Sequence, residues 1–179
     1  VNTVVFVRKD FDDAVWGINA RSVGAVAHCR QLLDSEDLRT YRGLPEYREV
    51  ADGYEAVLRS KLAMALAVRQ RKFREALVEA EKAHGLAARA TFGNDLSSAE
   101  VQAMMTIDMA IIRYCGERNA FEAIKLLGRI TKKPWKADAL AILGRIFVET
   151  GRAEEGAAKL SEALRLGVEV PAARAEPIE

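Results

Sequence analysis

Proline, cysteine and histidine are all scarce in this chain. Only four of its 179 residues are proline, at 45, 134, 171 and 177, so long stretches run without a helix breaker. The two cysteines, Cys29 and Cys115, lie far apart and neither belongs to a CxxC pair. That excludes a disulfide framework and predicts two small apolar residues packed in a reducing compartment. Two histidines, His28 and His84, are too few for most metal sites. Charge of one sign is missing as well. The 27 basic and 26 acidic residues leave a net charge of +1, without the basic excess that a nucleic-acid partner's phosphates demand. Long apolar runs are absent too. The best, Ala14 to Cys29, carries Arg21 at its middle and falls short of the roughly 20 residues a membrane span needs. The short run Val4 to Val7 is cut at once by Arg8, Lys9 and Asp10, so no signal peptide is expected and a cytoplasmic location is.

What the chain has in quantity is Ala, Leu, Arg and Glu, residues of high helix propensity. Only Thr3 to Val7 has β character. The spacing predicts helices over about 12–34, 35–41, 45–70 and 73–89. Asp12 and Asp13 suit the positive end of the first, and Pro45 suits the first position of the third. Ser97 and Glu100 form a capping-box pattern ahead of a helix that is apolar on most sides, with Met104, Met105 and Met109. Those methionines serve either as core or as an adaptable surface. Further helices are expected over 120–130, 134–149 and 153–166, with a loose tail from 167 to 179. The chain therefore reads as all-α. It has an N-terminal helical region over 1–44 that could cap the hairpins, helix hairpins over 45–168, and a flexible C-terminal tail over 169–179.

Three turns share a pattern. Each leads into a second helix, and a small residue comes after it at Ala76, Ala123 and Gly156. Small residues at fixed places let two helix backbones approach, as stacked helix hairpins require. The last copy, with Leu143-Gly144, Phe147, Gly151, Gly156, Leu160 and Ala163, resembles the tetratricopeptide repeat. It departs from that family in Gly156 where Ala is usual, Leu160 where an aromatic is common, and Val168 where a proline closes the repeat. Ala123 and Gly156 are 33 residues apart, close to the family period of about 34. Ala76 and Ala123 are 47 apart, about a dozen too many, which an extended helix and longer loop near 80–92 would absorb.

That resemblance implies a solenoid whose first helices line a concave groove for an extended or helical peptide. The outward residues implied are Lys61, Ala65, Val68 and Arg69, then Asp108, Ile112 and Cys115, then Asp138, Arg145 and Glu149. Of these Lys61, Arg69, Asp108, Ile112, Arg145 and Glu149 are the candidate partner-binding residues, and Lys61, Arg69 and Arg145 could hold a carboxylate or an acidic segment.

Reactive motifs are few. Asp10-Phe11-Asp12 after an apolar run faintly resembles the loop of haloacid-dehalogenase-type phosphatases. Arg8 and Lys9 intervene, however, and Asp13-Ala14 replaces the usual Gly-Thr, so a charged helix start is the better reading. No calcium loop, phosphate loop or nucleophile elbow is present. The expectation is a protein or peptide interaction scaffold that could also self-associate, without catalytic residues, cofactor or metal. The alternative is a sensory or regulatory domain that binds a small ligand or peptide and controls an attached module.

Overall fold

The computed structural model describes residues 11, 13–90, 92 and 97–167, and every regular element among them is helical. The chain divides into two compact units, Val1–Asn119 and Ala120–Glu179. The expectations for Thr3 to Val7, for Asp10 and Asp12 and for 168–179 fall outside the described residues.

The first unit contains α1 (Ala25–Leu33), α2 (Glu36–Gly43), α3 (Arg48–Gln70), α4 (Phe73–Ala87) and α5 (Ser98–Glu117). A single helix over 12–34 is not formed. Helical residues at 13–16 give way to turns, and α1 begins only at Ala25. The cause is local: Gly17 and Gly24 weaken the helix, and Asn19 Oδ1 accepts the Arg21 N–H at 2.9 Å, a turn that competes with it. Ser35 caps α2 by accepting the Leu38 N–H at 3.3 Å. Pro45–Tyr47 forms a 3-10 turn that feeds directly into α3.

α3 is the spine of this unit, packing against α1, α2, α4 and α5. Its apolar side chains Val57, Leu58, Leu62 and Leu66 meet Ala76, Leu77 and Ala80 of α4, with Ile112 of α5 in the same core. Met105 is buried in a neighbouring cluster with Ala83, Leu86 and Val101, and Met104 packs against it. The capping box at Ser97 and Glu100 is formed in full. Gly116 lies inside α5, where a Cβ would collide with the Phe73 side chain at the start of α4.

The second unit contains α6 (Ala120–Leu127), α7 (Trp135–Glu149) and α8 (Ala153–Arg165). α7 packs on both others, most extensively on α8. Where α7 and α8 cross, Gly144 and Gly156 bring the backbones together: a Cβ on Gly156 would stand 2.7 Å from Gly144 O and 3.0 Å from Val148 N.

One local device recurs along the chain. Arg71, Arg118 and Gly151 all take left-handed backbone, at φ 53°, 53° and 84°. The first two end α3 and α5, and each helix-final carbonyl cluster is closed by the amides after it: Lys72 N–H reaches Leu66 O, and Asn119 N–H reaches Arg113 O. Gly151 lies just past α7, with Arg152 N–H donating to Phe147 O at 2.8 Å. Five residues beyond each left-handed position stand Ala76, Ala123 and Gly156, all buried.

Candidate functional site

On α3, Arg48, Asp52, Glu55 and Arg59 recur at spacings of four, three and four, which draws a charged stripe along one helix face. The stripe floors an open trough. One part, about 400 Å³, is lined by Arg30, Asp34, Arg42, Glu55, Arg59 and Glu79 among others. The next part, about 700 Å³, shares Arg42 and Glu55 and adds Arg48, Glu49, Asp52 and Arg89.

The floor is a chain of ion pairs. Glu55, with only 12% of its side chain exposed, accepts from Arg42 Nη2 and, at 2.7 Å, from Arg59 Nε. Arg59 also donates to Glu79, whose other oxygen accepts from Lys82 Nζ at 3.1 Å. Arg89 Nε donates to Asp52 at 2.8 Å. Burial works against the charge on Arg59, but its bonds to Glu55 and Glu79 outweigh that and hold the guanidinium above its ordinary range. Burial likewise opposes ionisation of Glu79, and the bonds from Lys82 and Arg59 win, keeping it below the usual carboxylate range. The trough floor is therefore a set of mutually paired charges, in which Glu55, Asp52 and Glu79 lie deep while Arg42 and Arg89 stand toward the rim.

None of the residues expected to line a groove is among those lining the trough, and each is placed within its own unit. Lys61 turns inward: its Nζ donates to the carbonyls of Trp16 at 2.9 Å and Ile18 at 2.8 Å, tying the N-terminal turns to α3. Burial lowers Lys61 despite the opposing effect of Cys29, whose thiol burial pushes up to about 11. Asp108 accepts from Ser60 Oγ at 2.7 Å, and burial, only partly offset by that bond, raises it to about 6. Ile112 is wholly buried in the core and presents no surface. Arg69 is exposed on the last turn of α3. Arg145 and Glu149 belong to the second unit, where they form an exposed pair at 3.7 Å.

Among the described residues no three His, Cys, Asp or Glu side chains converge as a metal site would need. Nor is any described helix long and apolar enough to cross a membrane. Compared with family models, curated proteins and solved structures, the chain gives no match in any of the three.

Proposed function

We propose that this chain is a tetratricopeptide-like interaction module, working in the cytoplasm, that docks a segment of a partner protein along the α3 trough and carries out no chemical step of its own. The observation that carries this reading is the trough itself. It is open, it runs along one long helix, and its floor charges are already paired, so a partner meets a preorganised surface rather than one that must be ordered on binding. The recurring left-handed turn, with a buried small residue five positions later in each case, supports the repeat architecture. Sequential packing of α3 on α4 and α4 on α5, and of α7 on α8, agrees with it.

The test is affinity capture from native cells with the wild-type chain, Arg48→Glu and Arg145→Glu, each checked for unchanged thermal unfolding. The reading expects Arg48→Glu to lose the partner and Arg145→Glu to keep it. Capture unaffected by Arg48→Glu would remove the trough from consideration. If the captured partner is a second copy of this chain, self-association is the trough's function.

A further inference from the structure

The geometry points to a carboxylate-binding site at the Arg42, Arg48 and Arg89 end of the trough, selective for an acidic peptide segment. This rests on the docking reading above and names the ligand's chemistry.

Acids and bases stand at different depths there. The side chains of Glu55 and Asp52 are 12% and 15% exposed, whereas those of Arg42 and Arg89 are 47% and 68% exposed. Both deep carboxylates are already bound, Glu55 by Arg42 and Arg59 and Asp52 by Arg89. Those bonds use only part of each rim guanidinium: Arg42 gives Nη2 and Arg89 gives Nε. Arg48 is exposed and has no partner among the described residues. Arg42, Arg48 and Arg89 all line a cleft of about 700 Å³. A planar guanidinium with free N–H groups matches the two oxygens of a carboxylate, and the buried acids hold Arg42 and Arg89 in place before the ligand arrives.

The same charges disfavour a nucleic acid. Glu49 stands at this rim and Asp34 at the far end, so a continuous phosphate backbone would meet repulsion between its favourable contacts. A peptide backbone is neutral, and its flexible side chains can turn their carboxylates toward Arg42, Arg48 and Arg89 and away from Glu49. From Arg48 to Arg59 the helix runs about 16 Å at 1.5 Å per residue. That length accommodates about five residues of extended chain.

The experiment is fluorescence anisotropy of the full chain with labelled, end-blocked pentaglutamate, pentaglutamine and pentalysine, and with an oligothymidylate of the same length. Pentaglutamate should bind at least ten-fold more tightly than the other three, and added salt should weaken it. Arg48→Gln and Arg48→Glu, both at an exposed site, should each weaken pentaglutamate several-fold or more, with Arg48→Glu the more severe. Equal affinity for pentaglutamate and pentaglutamine, indifference to both Arg48 variants, or tighter binding of the oligothymidylate would each overturn the inference. If pentaglutamate fails while Arg48→Glu still abolishes capture of a native partner, the acidic preference falls and the docking reading stands. Loss of both results ends both.

Discussion

Replacing Gly156 by alanine puts the helix-crossing account at direct risk, because propensity and packing predict opposite signs. Alanine is about 1 kcal/mol better than glycine inside a helix, so propensity alone predicts a gain. At Gly156, however, the new Cβ would stand 2.6 Å from Val148 Cγ2, 2.7 Å from Gly144 O and 3.0 Å from Val148 N. Two of those atoms are backbone and cannot rotate aside, so α7 and α8 must move apart along their shared surface. Overpacking of this kind costs about 1–3 kcal/mol, and a backbone obstacle places it at the upper end. The net expectation for Gly156→Ala is a loss of about 1–2 kcal/mol. Gly85→Ala on α4 is the matched control, since nothing lies within 4 Å of its added Cβ. It should gain up to about 1 kcal/mol. Urea unfolding followed by Trp135 fluorescence in a Trp16→Phe background reads the second unit for Gly156→Ala. Helical circular dichroism reads Gly85→Ala. A Gly156→Ala protein as stable as its parent would refute the close crossing.

Three further perturbations concern buried charge. Lys61→Met strips the carbonyls of Trp16 and Ile18 of their donor and should cost about 2 kcal/mol; hydrogen exchange over 13–24 should accelerate. Glu55→Gln leaves Arg42 and Arg59 without their shared countercharge and should cost about 2 kcal/mol, less than a fully buried pair because Arg42 is half exposed. That loss is read from the urea midpoint. Asp108, raised by burial to about 6, binds its proton more tightly folded than unfolded, so stability should fall as pH rises from about 4 to about 6. The full swing is about 3 kcal/mol at 1.36 kcal/mol per pKa unit. Asp108→Asn should flatten that slope, which urea titrations at pH 4, 5 and 6 would measure.

Local signals are legible where one residue type decides the backbone. Ser97 with Glu100, and the run before Gly151, stand out in the sequence because capping and left-handed turns depend on short-range chemistry. The break between 16 and 25 is hidden because Ala14 to Cys29 is apolar enough to read as a helix, while two glycines and the Asn19 turn outweigh that pattern. Gly156, which departs from the repeat resemblance, has a reason visible only in three dimensions: Gly144 and Val148 leave no room for alanine. The trough is not legible along the chain, since its members come from four helices, α1 to α4. One signal is available, the charged stripe Arg48, Asp52, Glu55 and Arg59 on a helix whose apolar side dominates its pattern. Lys61 and Ile112 depart from expectation for the converse reason, because helical spacing gives a residue's face but not which neighbour covers it.

Photo-crosslinking in native cells tests the docking surface most directly. A photoreactive side chain placed at position 48 should give a discrete partner adduct, and one placed at 145 should give none. Adducts from 145 with none from 48 would contradict the account.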